Sequence, residues 1–269
     1  MTATDPPMRE VNPAQPLPPL DDAARAVVAA LARRQNRAQS VLMQIVTFVG
    51  AQVEDGLKLL PGGTRRQIEE AARRALSQSY DLAGRSRGGL GARITGDRAH
   101  RVLGTISGAL GGLGGLPTAL AELPVATTFI FRAVQGVAAQ HGEDPTSPET
   151  RAECLAVFGA GGPGDGDDGI DTAFLGARLS LTGPALNKLI AKVAPKFAAV
   201  LSQKLATQAV PVLGAAAGAG TNYAFIDYYV EIAHVHFGLR ALARTHGPDA
   251  VADAFHAELA RLKRPVTRA

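Results

Sequence analysis

The sequence predicts an all-α protein, a multi-helix bundle that contains two glycine-rich apolar helical hairpins. Three observations lead to this prediction. Apolar residues recur at intervals of three and four along most of the chain, which is the period of a helix with one buried face. The apolar–polar alternation that marks a strand is missing. Hydrophobic residues make up 46% of the chain, and the abundant alanine and glycine suit closely packed helices.

The start of the chain differs in composition from the remainder. Residues 1–20 are rich in proline and contain little that could be buried, so we expect a disordered leader there. The leader lacks the apolar run of a signal peptide. The remaining residues, 21–269, are long enough to bury one large core, and we expect them to form a single all-α domain.

Capping and breaking residues divide the chain into helices. Asp21 and Asp22 can cap the first helix, and Pro61-Gly62-Gly63 ends the second. Thr146 lies three residues before Glu149, which is the spacing of a capping box, and Pro195 should kink or interrupt its helix. We expect helices over residues 23–34, 37–60, 64–83, two joined by a turn within 102–139, then 149–158, 171–181, 184–206, 212–244 and 248–263.

The stretch 102–139 carries only two charged residues, and we expect it to organise the fold. Glycines four residues apart place small side chains on one helix face, where another backbone can approach closely. The spacing returns in the last long helix, where Asn222 is expected to bond a neighbouring backbone. Because glycine and proline interrupt the apolar run, we expect buried core helices or a monotopic hairpin rather than a membrane span. The expected packing motif comprises Gly104, Gly108, Gly112, Gly214, Gly218 and Asn222.

Charge and cysteine content narrow the classes of partner. The net charge is +4, but the basic residues occur in short pairs with acids close by, which argues against nucleic acid. Solvated helix faces explain these pairs of basic residues, and attraction to an anionic lipid surface is the alternative.

The chain contains a single cysteine, Cys154, which excludes an internal disulfide and fits a reducing compartment. We expect Cys154 to be a buried thiol rather than a nucleophile.

One polar stripe interrupts the apolar last long helix. Asp227, Glu231 and His234 follow each other at spacings of four and three. Glu231 and His234 have the spacing found in di-iron carboxylate bundles, but such sites also need lone glutamates from two further helices. Glu122 could supply one of these, and no second is evident. A structural hydrogen-bond network or a polar patch lining a lipid or ligand cavity is therefore favoured, and we expect neither a metal nor another cofactor.

Catalytic signatures are missing from the sequence. It contains no H-E-x-x-H, no G-x-S-x-G and no Walker lysine after its glycines. The acidic run at 165–171 does not match a calcium loop, since Ile170 occupies the position that requires glycine. An enzyme is therefore not the expected class. The alternative that remains open is a soluble metal-dependent enzyme or hydrolase using the stripe.

Three passages resemble the EcsC family of bacterial proteins. They are Gly111–Pro145, beginning GGLGGLPTALAELP, then Asp171–Leu181, DTAFLGARLSL, and Ala209–Gly247, beginning AVPVLGAAAGAGTNYAFIDYYVEIAHVHFG. With the basic N-terminal helices, the resemblance spans 37–247. The family takes its name from a member encoded with an ABC-type transporter. The resemblance implies a membrane-linked protein on the cytosolic side and supplies no catalytic residue.

These expectations combine into one functional hypothesis. The apolar stretch, the basic helix edges and the missing export signal predict a protein attached peripherally or monotopically to the inner face of the cytoplasmic membrane. Its partner would be the lipid surface or a membrane protein. Its activity would be to bind lipid or to assist an ABC-type transporter or a secretion system.

Overall fold

The computed structural model describes residues 17–50, 63–85, 115–159, 183–208 and 214–263. These residues form helices and connecting turns without a strand, which confirms the predicted all-α helical bundle. The helices are α1 (Asp22–Gly50), α2 (Thr64–Arg85), α3 (Gly115–Gln140), α4 (Pro148–Val157), α5 (Gly183–Gln208), α6 (Gly214–His246) and α7 (Pro248–Lys263).

Helix α1 begins where the sequence predicted and continues further. The Ala24 backbone N–H donates to Asp21 Oδ1 at 2.7 Å, so Asp21 is the N-cap. The expected division between residues 34 and 37 is wrong, because α1 is one helix through Gly50. The sequence between them, Gln35-Asn36, contains neither glycine nor proline to break it.

Residues just before α1 contact the folded helices. Leu20 belongs to the hydrophobic core. His246 Nδ1 lies 3.1 Å from the carbonyl oxygen of Pro18. The folded part therefore includes the last residues of the expected leader. Residues 1–16 lie outside the described residues, so the division into a leader and one domain stays a prediction.

The connection between α3 and α4 contains two capping motifs. Gly142 adopts a φ of +79°, and the Glu143 N–H donates to the Ala138 carbonyl at 3.0 Å, as in a Schellman motif. Ser147, not Thr146, caps α4, since the Ser147 hydroxyl accepts from the Thr150 N–H at 3.1 Å. The predicted Thr146–Glu149 capping box is therefore wrong by one residue. Pro148 then occupies the first turn, where its missing N–H costs little.

Pro195 lies inside α5 without ending it. The sequence predicted a kink or an interruption, and the interruption is wrong, because helix α5 is continuous from Gly183 to Gln208. The bond that proline removes would have reached the carbonyl of Ala191. Both Ala191 and Pro195 are exposed, so water can solvate that carbonyl and the helix continues.

Helix α6 holds the central place among the described residues. It packs against α1, α3, α4, α5 and α7. Most residues of its middle, 224–239, are buried, as is typical of a helix at the centre of a bundle. Tyr229 stacks on Phe158 with ring centroids 5.0 Å apart, and Phe197 meets both rings edge-on. Among the described residues, the fold is thus organised around α6. The expected organising role of 102–139 stays a prediction, because 102–114 lie outside these residues.

Several expectations fall on residues outside the described ranges. The first half of the expected 102–139 hairpin, the acidic run at 165–171 and the helix expected at 171–181 are among them. The two glycine-rich hairpins therefore stay predictions. Of the helices in the described ranges, none combines the length and the apolarity that crossing a membrane requires.

Candidate functional site: a polar network along α6

Two charged residues join α1 to α6. Arg34 binds the Glu231 carboxylate with two hydrogen bonds, from Nε to Oε2 and from Nη2 to Oε1, the second 3.0 Å long. The side chains are 35% and 20% exposed respectively, so the pair lies at the edge of the core. Both oxygens of Glu231 are engaged, which leaves this carboxylate poorly placed to act as a base or a metal ligand.

Two histidines meet one turn further along α6. His141 directly follows α3, where the Schellman turn at Gly142 positions it, and its Nε2 lies 3.2 Å from Nδ1 of His234. Burial lowers the pKa of His141, and the nearby His234, Arg34 and Arg244 lower it further, against an opposing effect of Glu143. The ring is therefore neutral at pH 7 and can accept a proton or a metal ion at its unprotonated nitrogen.

A buried carboxylate holds α4 against the same helix. The Glu153 side chain is 1% exposed, accepts from Arg240 Nη1 at 2.8 Å, and lies 2.8 Å from His236 Nε2. Arg240 Nε also donates to Glu143 Oε1 at 3.2 Å, and Arg244 binds the same oxygen. This arrangement pairs the buried charge of Glu153 on two sides, as a carboxylate in the core requires.

The structure brings together part of the predicted stripe. Glu231 and His234 both enter the network, and half-buried Asp227 lies one turn before Glu231. The backbone of Glu122 is 19 residues before His141 on α3, about 28 Å along a straight helix at 1.5 Å per residue. The His141–His234 contact is therefore remote from Glu122.

The predicted packing motif is only partly within the described residues. Gly214 and Gly218 occupy the first turns of α6, Asn222 follows on the same helix, and Gly104, Gly108 and Gly112 lie outside the described ranges. Packing through these residues stays a prediction. A close approach that was not predicted occurs at Gly238, where an added Cβ would lie 2.9 Å from Leu31 Cδ2 on α1. A glycine inside an apolar helix was the available signal.

Sequence reasoning missed most of the network. The residues it did not single out are Arg34, His141, Glu143, Glu153, His236, Arg240 and Arg244. His236, Arg240 and Arg244 continue along α6 at intervals of four, which is a detectable polar stripe. Within the described ranges, no group of three or more His, Cys, Asp or Glu side chains is arranged to hold a metal.

A second charged feature lies on the outer face of α5. Leu189, Ile190, Val193 and Phe197 bury one side of this helix in the core. Lys188 and Lys192 are exposed on the other side, and Lys196 follows at the same four-residue spacing, half-buried. The sequence of α5 contains four lysines and neither aspartate nor glutamate. The helix therefore presents a cationic face, which we call the lysine face, defined by Lys188, Lys192 and Lys196.

Comparisons with known proteins agree with the resemblance seen in the sequence. The search of curated proteins and the search of solved structures gave no match. The family model described as "EcsC protein family" matches residues 20–242, which is most of the chain. It begins before the expected start at residue 37 and ends close to the end of α6. The chain belongs to the EcsC protein family.

Proposed function

We propose that the protein attaches peripherally to an anionic membrane surface through the lysine face of α5. The observation that carries the proposal is the absence of any acidic residue from a helix with four lysines, three of them four residues apart on one side. A helix with an apolar face and a purely basic face is typical of segments that lie on charged lipid. Here the apolar face is already anchored in the core, so attachment would be electrostatic.

The contrast with α2 makes the lysine face distinctive. Arg73 and Arg74 of α2 are exposed, but each forms an ion pair with a glutamate four residues earlier, Glu69 and Glu70. Their charge is largely neutralised within the helix. Helix α5 contains no acidic residue that could form such a pair within the helix, so we expect a membrane with anionic headgroups to attract α5 more strongly than α2.

The expected strength follows from the number of lysines. A basic residue near an anionic surface contributes about 1 kcal/mol, so three contribute about 3 kcal/mol, or about a 100-fold increase in partitioning. Such attachment is reversible and weakens with salt, because the Debye length is only about 8 Å at physiological ionic strength. The proposal includes the inner face of the cytoplasmic membrane as the location, and the family resemblance adds an ABC-type transporter as a neighbour.

Vesicle cosedimentation tests the proposal. The full chain is mixed with vesicles of phosphatidylcholine alone or of an equimolar mixture with phosphatidylglycerol, at low and at high salt. We expect binding to the anionic vesicles at low salt only. The variant K188Q/K192Q/K196Q should bind about 100-fold more weakly.

A matched variant separates the lysine face from net charge. R66Q/R73Q/R74Q removes the same number of positive charges from exposed positions of α2. It should retain most of the binding. Failure of the unmodified chain to bind anionic vesicles would contradict the proposal, and so would an equal loss in the two triple variants.

A further inference from the structure

The His141–His234 contact has a geometry that two ligands of one metal ion would share. His141 Nε2 and His234 Nδ1 are 3.2 Å apart, although the residues are separated by 93 positions in the sequence. Two imidazole nitrogens each 2.0–2.1 Å from a zinc ion and about 3.2 Å apart subtend an angle of about 100° at the metal. This angle is close to the tetrahedral value.

We propose that His141 and His234 form a two-histidine site for a divalent transition-metal ion of the zinc, nickel or copper class. Imidazole nitrogen suits these ions, whereas magnesium and calcium prefer oxygen ligands. Water would fill the remaining coordination positions, because His141 is only half-buried. The ion would join the end of α3 to the middle of α6, the same two elements that the N···N contact joins now.

Replacing the hydrogen bond between the two rings by a metal ion requires only one proton to change its position. In the present contact, one ring nitrogen donates its proton and the other accepts it. On metal binding, the donating ring carries its proton on its other nitrogen, so both facing nitrogens can bind the ion.

Charges around the histidines are balanced. Arg34 and Arg244 both lie close enough to affect His141, and by themselves they would repel a cation. Arg34 is paired with Glu231, and Arg244 with Glu143. The two glutamates offset these two arginines, and Arg240, which shares Glu143, is offset by Glu153, so the site presents no net positive charge to an incoming ion.

Isothermal titration of the untagged, metal-stripped full chain with nickel or zinc chloride tests the site. We expect one ion per chain, and at least a tenfold weaker affinity in H141Q and in H234Q. The control is H256Q on α7, which removes a half-buried histidine outside the contact and should leave the affinity unchanged. Copper binding followed by electron paramagnetic resonance should show two nitrogen ligands in the unmodified chain and fewer in H141Q.

The outcomes distinguish a metal site from a simple hydrogen bond. If the unmodified chain binds no ion, or if H141Q and H256Q bind as tightly as it does, the proposal is overturned. Since His234 is 9% exposed, H234Q can disturb folding. In that case the test depends on H141Q, because His141 is only half-buried. Circular dichroism of metal-free H141Q shows whether its helix content matches that of the unmodified chain. Neither result bears on the vesicle experiment, because the lysine face does not include these histidines.

Discussion

Arg34 and Glu231 are 197 residues apart in the sequence and form a two-bond ion pair between α1 and α6. Because α6 packs against five of the other helices, this pair fixes the first helix of the bundle to its central one. The pair is partly exposed, so its contribution is smaller than that of a fully buried pair. The bidentate geometry increases it relative to an ordinary surface pair.

The variants R34Q and E231Q should each lower the free energy of unfolding by about 1 kcal/mol. In a double-mutant cycle, the coupling energy should also be about 1 kcal/mol, because the bidentate ion pair is lost with either residue. The matched pair is Arg73 and Glu69, which is exposed and lies within α2. Its coupling energy, measured by urea unfolding in the same way, should be below about 0.5 kcal/mol. Equal coupling in the two pairs would contradict this account.

Glu153 should be far more sensitive to substitution than any exposed carboxylate. Its carboxylate is 1% exposed and is bound by Arg240 and His236. The variant E153Q leaves Arg240 with one carboxylate partner in place of two and should lower the free energy of unfolding by about 3 kcal/mol. The control is E70Q, which removes the charge of an exposed helix pair and should change stability by at most about 0.5 kcal/mol. Chemical denaturation measures both, and similar losses would rule out a structural role for the Glu153 charge.

An added methyl group at Gly238 should lower the stability of the protein, although alanine favours helices. An added Cβ would lie 2.9 Å and 3.0 Å from the two methyl carbons of Leu31, which is itself in the core. We expect G238A to lower the free energy of unfolding by about 1 kcal/mol, because overpacking exceeds the gain in helix propensity. At Gly136 of α3 an added Cβ meets nothing within 4 Å. G136A should therefore raise stability by up to about 1 kcal/mol. A stabilised G238A would contradict this account and show that the Leu31 side chain can move at little cost.

Local chemistry explains which elements were predictable. The sequence indicates helix boundaries at Asp21, at the turn of His141 and Gly142, and at Pro248. These boundaries are predictable because helix caps depend on residues only a few positions apart. The interruption expected at Pro195 is wrong because the effect of a proline depends on whether the freed carbonyl reaches water, and only the folded structure shows that the residue is exposed. The division expected between residues 34 and 37 is wrong because the sequence there contains neither glycine nor proline.

The sequence predicted only part of the polar site, for a related reason. The spacing of Glu231 and His234 places them on one side of α6, which helix periodicity predicts. Their partners Arg34 and His141 come from other helices, and periodicity within one helix does not tell which faces meet. Glu153 is the extreme case. Its partner Arg240 is 87 residues away, and the sequence around Glu153 resembles an ordinary solvated helix. Buried charge pairs of this kind depend on tertiary packing alone.

Cys154 provides the last prediction, which concerns alkaline pH. The sequence predicted a buried thiol, and the residue is free and buried. Burial raises the pKa of Cys154 well above its usual value of 9.0, and the charges of Glu153 and Glu143 raise it further. The thiol therefore stays protonated in the folded protein at a pH where it ionises in the unfolded chain. Below pH 9 the thiol is protonated in both states, so its contribution to the free energy of unfolding is constant. As the pH rises above 9, ionisation favours the unfolded chain and lowers the free energy of unfolding by about 1.4 kcal/mol per pH unit until the folded pKa is reached.

We expect the melting temperature of the unmodified chain to fall between pH 9 and 10, and the fall to be smaller in C154A. The comparison concerns the slope with pH, so the cavity left by C154A, which lowers stability at every pH, does not affect it. Burial also raises the pKa of Tyr229 well above 10.0, so its effect begins only above that pH. Y229F should accordingly show the unmodified slope between pH 9 and 10. Rapid reaction of the folded protein with a thiol reagent at pH 8 would contradict the burial on which this prediction rests.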